Sequence, residues 1–204
     1  IGDHTDYNDG FVMPIAIAQQ TSVELAVGPA KPHRVYSATL GEMRTFDRSK
    51  LDGFAKYGAG CVFALEDQGF DIPALRIRIA SNVPVGIGLS SSAALEVATL
   101  RALSKLLALG LNPVDIALTA QQAEISYAGV RCGVMDQMAS SLATTDRMLF
   151  LDTRTLQTRL VRLPANSEVL IVDSGVRRKL SSSDYNVRRK ECEQAALQLG
   201  VPKL

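Results

Sequence analysis

The order of its predicted elements assigns this 204-residue chain to the α+β class. Segments with the two-residue period of strands and segments with helical spacing follow the order β-β-α-β-α-α-β-β-β-α. A regular α/β protein would alternate strand and helix throughout, so this order favours an α+β sandwich over a parallel βαβ array. The 47% of hydrophobic residues is enough to build a substantial core in one or two domains.

The predicted strands are segments in which apolar and polar residues alternate. Residues 74–79 alternate most clearly, since the leucine and isoleucines share one face and the two arginines share the other. A hairpin through Gly28-Pro29 is expected to join residues 22–27 to residues 34–38. Three further strands are predicted at residues 148–152, 156–163 and 169–173.

The predicted helices differ in how strongly the sequence specifies them. Residues 51–68 have helical spacing that three glycines weaken. Residues 90–109 are apolar almost all round, which predicts a central, buried helix. Asn112 and Pro113 suit the N-cap and first position of another helix, which should run to about Tyr127. A shorter helix opens at residues 133–137, and a last one covers residues 185–199.

Charge and composition argue against several classes of function. The net charge is +1, so no overall field draws nucleic acid or an acidic membrane surface to the chain. No apolar run reaches the roughly 18 residues of a membrane span, and no signal peptide is visible. Three widely spaced cysteines suit a reducing, cytoplasmic compartment. Because the sequence starts at Ile1 and stops just past Gly200, we expect a piece of a longer protein.

Residues 84–92, PVGIGLSSS, have the composition of a phosphate-binding loop. Gly86 and Gly88 remove Cβ atoms where a backbone would approach a ligand, and Ser90 leads into a predicted helix. The free N–H groups of a first helical turn bind anions, and serine hydroxyls can ligate a phosphate-bound Mg²⁺. The lysine of a Walker loop and the third glycine of a dinucleotide fingerprint are both missing. A tight turn with a serine N-cap is therefore the alternative interpretation.

Residues 3–8, DHTDYN, bring two carboxylates and an imidazole together within four residues. Three interpretations stay open for this segment. It could bind a metal ion, although the usual distant third ligand is not evident. It could be a solvated acidic turn. It could also present acceptors to a polyhydroxylated ligand, because charge-assisted hydrogen bonds to carboxylates are strong.

Glu124 and Asp136 are two further candidate carboxylates. Glu124 lies on an otherwise apolar helical face, so it is either a solvated edge residue or a ligand to Mg²⁺ beside Ser92. Asp136 follows a glycine-containing turn at a helix start. That position suits an N-cap, and it equally suits a general base within reach of a substrate hydroxyl.

Two basic clusters, residues 177–179 and 188–190, flank a serine-rich stretch near the end of the chain. Such clusters are usually a solvated face, and Tyr185 is the one aromatic residue between them, which argues against nucleic acid as a partner. Ser183 and Asn186 form a candidate cap region, and Tyr185 combines a polar tip with an apolar body.

Four of these stretches together resemble one family. Residues 2–14, GDHTDYNDGFVMP, closely resemble the galactokinase signature. Residues 84–92 resemble the second motif of the superfamily of galactokinase, homoserine kinase, mevalonate kinase and phosphomevalonate kinase. Residues 132–137, CGVMDQ, and 183–193, SDYNVRRKECE, are similar to two further galactokinase blocks. The match runs in order over all 204 residues.

The resemblance implies the N-terminal domain of a GHMP kinase, whose α+β fold is a layered mixed sheet with helices, similar to domain 2 of ribosomal protein S5. Residues 1–204 would form this galactose- and ATP-binding domain and would lead into a missing C-terminal domain of the same chain. The implied activity is ATP-dependent phosphorylation of the anomeric hydroxyl of α-D-galactose to galactose 1-phosphate, with Mg²⁺ as cofactor.

The resemblance also implies a role for individual residues. The implied sugar contacts are Asp3, His4, Thr5, Asp6, Gly133 and Tyr185. The implied ATP-binding residues are Gly86, Ile87, Gly88, Leu89, Ser90, Ser91 and Ser92. Ser92 and Glu124 would support Mg²⁺, and Asp136 would be the catalytic base.

Three departures from the family pattern concern the completeness of the site. The family has Glu where this chain has Asp3, which is one methylene shorter. An arginine that assists the reaction would lie before Ile1, and the third, glycine-rich motif would lie in the missing C-terminal half. We therefore expect this chain alone to expose an apolar face and half a cleft, and to be inactive.

Two functions fit the resemblance. In the first, the whole protein is an enzyme: a galactokinase, or a close relative that acts on another hexose or an amino sugar. In the second, it is a catalytically poor, galactokinase-like sensor of sugar and ATP. The complete GLSSSA run and Asp136 favour the enzyme.

Overall fold

The computed structural model describes residues 1–175 and 182–204, which form a mixed helix-and-sheet structure. The strands are β1 (Phe11–Val12), β2 (Thr21–Val27), β3 (His33–Ser37), β4 (Glu42–Phe46), β5 (Leu75–Ser81), β6 (Arg147–Asp152) and β7 (Thr158–Arg162). The helices are α1 (Ala55–Asp67), α2 (Ser91–Leu106), α3 (Pro113–Ala123), α4 (Met135–Leu142) and α5 (Ser182–Leu199). A π-helical turn, Glu124–Ala128, continues α3.

The larger sheet has the strand order β2-β5-β3-β4, with β5 antiparallel to β2 and parallel to β3. The expected hairpin between β2 and β3 is therefore wrong, because β5 lies between the two strands. The N–H of Gly28 donates to the carbonyl oxygen of Ala74 at 2.6 Å, so the chain leaves β2 beside the start of β5 instead of turning back. The hairpin partner of β3 is β4, whose polar sequence predicted no strand.

The main core lies between this sheet and the helices. The inward residues of β5 are buried and its two arginines are exposed, as the alternation predicted. They pack with buried residues of α1, α2 and α3, among them Phe63, Leu100 and Ala120. Val97, Leu100 and Leu103 of α2 are at most 3% exposed and belong to this core, so α2 is a central helix as predicted, although Leu106 at its end is exposed.

The smaller sheet has the order β1-β6-β7 and carries a second core. Val12 of β1 and Leu149 and Leu151 of β6 pack against Met138 of α4 and Ala117 of α3. This packing fixes α4 against the segment that follows residues 3–8. The two cores share α3, so the glycine-rich loop and α4 are held on one framework.

Several element predictions can be compared directly with the structure. Asn112 caps α3 with a complete capping box, in which its side chain accepts from the N–H groups of Val114 and Asp115. Residues 169–173 form no strand, because none of the described strands pairs with them, and Leu170 is 85% exposed. None of the helices in the described parts of the chain combines the length and hydropathy that a membrane span requires.

Candidate active site

The glycine-rich loop connects β5 to the N-terminus of α2. Gly86 and Gly88 adopt positive φ angles of 77° and 83°, a region that glycine enters without strain. Ser90 is the N-cap residue of α2, with φ 53°, but its hydroxyl caps no N–H group of the helix. The first turn of α2 therefore keeps free N–H groups at the positive end of the helix dipole, which is an arrangement suited to an anion.

The Ser90 side chain interacts instead with Asp136, in the first turn of α4, and lowers the pKa of its carboxyl. The N-cap interpretation of Asp136 is wrong, because Val134 is the N-cap residue. Burial raises the pKa of the Asp136 carboxyl, the nearby Ser90 side chain opposes this shift, and the charge of Asp3 adds to it. Asp136 shares a cavity of about 450 Å³ with Gly88, Leu89 and Ser90. Gly86, Ile87 and Ser91 belong to the same loop and helix start but do not line this cavity.

Glu124 begins the π-helical turn and is only 5% exposed, so the solvated-edge interpretation is wrong. Burial raises the pKa of the Glu124 carboxyl, the nearby Ser92 side chain lowers it, and the charge of Asp136 raises it. Nε2 of Gln137 donates to Oε2 of Glu124 at 2.6 Å, and the Cys132 thiol donates to the same oxygen at 3.6 Å. Ser92 and Glu124 thus interact, and their role in holding Mg²⁺ stays a prediction of the resemblance.

Sequence reasoning missed Glu96 and Gln137, which complete this buried polar cluster. Both are fully buried, and burial raises the pKa of Glu96 well above its ordinary range, with the charge of Glu124 adding to it. One side-chain oxygen of each has no hydrogen-bond partner among the described residues. A single glutamate in the 16-residue, largely apolar helix α2 was the available signal.

This cluster fits Mg²⁺. The donors are oxygens, which a hard cation prefers, and uncompensated carboxylates buried side by side favour a positive charge. In the described residues no set of three or more His, Cys, Asp or Glu side chains is arranged as a metal centre. Mg²⁺ usually takes one or two carboxylates together with substrate phosphates, so Ser92 and Glu124 need no third protein ligand.

Residues 3–8 form a tight turn that is braced internally. The Thr5 hydroxyl donates to the carbonyl oxygens of Gly2, at 2.6 Å, and Phe11, at 3.2 Å. Nδ2 of Asn8 donates to the carbonyl oxygen of His4 at 2.9 Å. The Thr5 side chain is thus engaged with the backbone, while Asp3 and His4 remain exposed to solvent. A metal-site interpretation of this turn gains no support from its side-chain arrangement.

Asp6 of the same turn points inward, towards the start of α4. Burial raises the pKa of its carboxyl, and the charge of Asp136 adds to the shift. Its Oδ2 accepts from the N–H of Met135 at 3.4 Å, whereas its Oδ1 is buried without a partner among the described residues. A Cβ atom at position 133 would overlap the Asp6 carboxylate, so this close approach requires Gly133. A solvated acidic turn does not describe Asp6.

Tyr185 of α5 joins this turn to residue 133. Its hydroxyl accepts from the N–H of Gly133 at 3.4 Å, and its ring stacks on His4 with centroids 5.3 Å apart. Tyr7 meets both rings edge-on, and its hydroxyl lies 2.6 Å from Nδ1 of His4. Burial raises the pKa of Tyr185, so the phenol stays protonated. The cap expected at Ser183 lies outside the described side chains.

Asp136 interacts with both groups of candidate residues, the carboxylate cluster around Glu124 and the turn of residues 3–8. Its charge acts on the pKa of Asp6 on one side and on that of Glu124 on the other. The site therefore combines a potential anion-binding helix start, a carboxylate cluster suited to a cation, and a second carboxylate turn. Such a set suits transfer of a phosphoryl group to a hydroxyl.

Two family models match the sequence. The GHMP kinases N terminal domain matches residues 56–144, which include the glycine-rich loop, Glu124 and Asp136. The galactokinase galactose-binding signature matches residues 1–27, which include the turn of residues 3–8. Each model thus covers one of the two groups of candidate residues.

Curated relatives extend the match to almost the whole chain. A galactokinase from Thermosipho africanus is 44% identical over 96% of this chain and 55% of its own length. A galactokinase from Thermotoga petrophila is 40% identical over 98% of this chain and 57% of its own length. The chain thus spans about half the length of the curated relatives it matches.

Solved structures agree with this assignment. The crystal structure of Lactococcus lactis galactokinase complexed with galactose has a TM-score of 0.84 and 29% identity, over 98% of this chain and 54% of that one. Methanococcus jannaschii mevalonate kinase, at 18% identity and a TM-score of 0.66 over 79% of this chain and 52% of its own, shares the fold. In sequence and in fold, the chain therefore matches the GHMP kinases and, among them, the galactokinases, over about half of their length.

Proposed function

We propose that the whole protein is a galactokinase, which transfers the terminal phosphoryl group of ATP to the anomeric hydroxyl of α-D-galactose. The observation that carries this proposal is the position of Asp136. Its partly buried carboxylate interacts with the Ser90 side chain at a helix start suited to an anion, and its charge reaches both Asp6 and Glu124. A base between a phosphate site and a hydroxyl-binding turn is what phosphoryl transfer to a sugar requires.

Residues 3–6, Gly133 and Tyr185 would bind the sugar. The unpartnered Oδ1 of Asp6 supports this role, because a buried carboxylate oxygen without a donor is costly unless a ligand supplies one. A sugar hydroxyl is such a donor. The exposed Asp3 and His4 are available for further hydroxyls, and Thr5 would shape the turn through its bonds to backbone carbonyls.

Residues 86–92 would hold the ATP phosphates, through the backbone of the loop and the free N–H groups at the start of α2. Ser92 and Glu124 would hold Mg²⁺ against these phosphates. The bound ion would neutralise charge on the transferring phosphoryl group. Residues 1–204 would form the N-terminal domain of the enzyme, with the rest of the chain closing the cleft, in the cytoplasm.

In the proposed reaction, Asp136 orients the anomeric hydroxyl and accepts its proton. The hydroxyl oxygen forms a bond to the terminal phosphorus of ATP, and the bond from that phosphorus to the ADP oxygen breaks. The raised pKa of Asp136 makes its carboxylate a better proton acceptor than an exposed aspartate. Asp6, which lies against Gly133, would support the reaction by holding the sugar.

The test is galactose-dependent release of ADP from Mg-ATP by the whole protein. We expect turnover with galactose, and a loss of about 10²-fold or more in kcat for Asp136→Asn, which keeps the shape of the side chain but removes the base. Residues 1–204 alone should show no turnover. Binding of galactose without ADP release by the whole protein would favour the sensor, and a preference within a hexose panel for another sugar would change the substrate.

A further inference from the structure

Arg188 and Arg189, two adjacent arginines of α5, lie in different environments. The side chain of Arg188 is 71% exposed and forms an ion pair with Glu191 at 2.8 Å, one turn along the helix. The side chain of Arg189 is only 21% exposed. The sequence predicted a solvated basic face for residues 188–190, and Arg189 departs from that prediction because its side chain turns inward.

The guanidinium of Arg189 bonds to two successive backbone carbonyls. Its Nη1 donates to the carbonyl oxygen of Arg131 at 2.7 Å and to that of Cys132 at 3.2 Å. Its Nε donates to Glu193 at 3.3 Å. Its guanidinium carbon lies 5.7 Å from the ring centroid of Tyr7. The planar, multiply donating head of arginine makes these contacts together, which the single ammonium of lysine cannot do.

Arg189 is not alone in contacting residues 129–133, referred to below as the 129–133 segment. Other residues of α5 contact this segment too. Asn186 accepts from the N–H of Arg131 and donates to the carbonyl oxygen of Gly129, both at 2.9 Å. Arg131 in turn pairs with Glu193 at 2.6 Å. The segment lies between the π-helical turn and α4, where helical hydrogen bonds do not fix its carbonyls. Side chains of α5 hold them instead, together with Gln121 of α3, whose Nε2 donates to the carbonyl oxygen of Cys132 at 3.1 Å.

The position of the 129–133 segment matters because Gly133 approaches the Asp6 carboxylate more closely than any side chain would allow. A small shift of the segment would change the spacing between Gly133, Asp6 and Tyr185. Arg189 contacts both sides of this arrangement: the carbonyls just before Gly133, and the ring of Tyr7 in the turn that carries Asp6.

We propose that Arg189 is a positioning residue for the sugar-binding half of the site, and this rests on the function proposed above. It holds the 129–133 segment against the turn of residues 3–8 without touching the sugar. Among the described residues its contacts go to this segment, to Glu193 and to Tyr7, and none goes to the loop of residues 86–92. Its loss should therefore weaken sugar binding and leave ATP binding nearly unchanged.

The experiment compares Arg189→Met with Arg188→Met in the whole protein. The two variants remove the same charge at neighbouring positions of one helix, so general effects of charge and helix propensity cancel. We expect Arg189→Met to raise the KM for galactose about tenfold, as loss of hydrogen bonds from a charged donor implies, and to change the KM for ATP less than about twofold. Arg189→Lys should recover only part of the loss.

Hydrogen exchange provides a readout that does not depend on turnover. The amides of Arg131 and Gly133, which donate to Asn186 and Tyr185, should exchange about tenfold faster in Arg189→Met and unchanged in Arg188→Met. If the two methionine variants match in exchange and in KM for galactose, or if both substrates are affected equally, the proposal is wrong. If the unaltered protein releases no ADP with galactose, the proposed function fails instead, and exchange still decides whether Arg189 holds the segment.

Discussion

Nε2 of Gln137 lies 2.6 Å from Oε2 of Glu124, in a space that neither side chain shares with solvent. The same nitrogen lies 3.5 Å from Oε2 of Glu96, so one amide group faces two buried carboxyls. Such a donor fixes which oxygen of Glu124 remains free and in which direction it points. A metal ligand held in this way keeps its geometry before the ion arrives.

Replacing Gln137 by methionine should weaken the response to Mg²⁺. The substitution keeps a long, unbranched side chain but removes the donor to Glu124, and partners of metal ligands typically contribute about 10- to 100-fold to metal affinity. In Gln137→Met of the whole protein, we expect the Mg²⁺ concentration for half-maximal ADP release to rise about tenfold. Binding of Mn²⁺, followed by electron paramagnetic resonance, should weaken in parallel.

Thr99→Val is the control for that variant. Thr99 lies on α2 and, like Gln137 of α4, is fully buried. Its hydroxyl donates within the helix to the carbonyl oxygen of Leu95 at 2.8 Å. Its substitution should lower stability without changing metal dependence. An unaltered Mg²⁺ and Mn²⁺ response in Gln137→Met, or an equal loss in both variants, would contradict the role given to Gln137.

Gly133→Ala should destabilise the protein through a single steric conflict. The added Cβ would overlap the carboxylate of Asp6, so either the 129–133 segment or the turn of residues 3–8 must move. Overpacking of this kind costs about 1–3 kcal/mol in the free energy of unfolding. Denaturation in urea measures that loss, and calorimetry should show weaker galactose binding.

Gly58→Ala is the matched control for the glycine at 133. Gly58 lies inside α1, where the nearest atom to an added Cβ is Oγ1 of Thr99 at an ordinary 3.8 Å. Alanine is favoured over glycine inside a helix, so this variant should be neutral or more stable. A Gly133→Ala variant as stable as Gly58→Ala, with normal galactose binding, would contradict the steric conflict between residue 133 and Asp6.

Local signals explain what the sequence predicted correctly. The alternation in β5 and the Asn112 cap of α3 depend on neighbours in sequence, and both were found as expected. The β2–β3 hairpin failed because strand pairing depends on distant residues, here the insertion of β5 between the two strands. Nothing within residues 22–38 indicates that insertion.

The candidate site shows the same division between local and distant information. The carboxylates of residues 3–6, Glu124 and Asp136 stand in short motifs, so sequence reasoning selected them. Glu96 can be recognised as part of the site only in the folded structure, where Glu124 and Gln137 from two other elements lie beside it. Arg188 and Arg189 have the same charge and adjacent positions, and only the packing of α5 distinguishes the exposed residue from the partly buried one.

His33 should make stability fall as the pH falls below about 6.5. It is 1% exposed, its ring stacks on Phe46, and its Nδ1 accepts from the N–H of Leu75 at 3.2 Å. Burial lowers the pKa of His33, and the charge of Lys31 adds to the effect. Protonation would place a hydrogen on Nδ1 and break the bond to Leu75, so the folded protein resists it.

The sign follows from proton counting. Below its ordinary pKa of about 6.5, His33 is protonated in the unfolded chain but not in the folded one, so the unfolded state binds more protons. The free energy of unfolding should thus decrease by up to about 1.4 kcal/mol per pH unit, until the pH reaches the lower pKa of the folded state. His33→Asn should be less stable at neutral pH and should lack this component of the slope. Urea denaturation of both proteins between about pH 5 and 7.5 measures it, and parallel pH profiles would show that His33 is not its source.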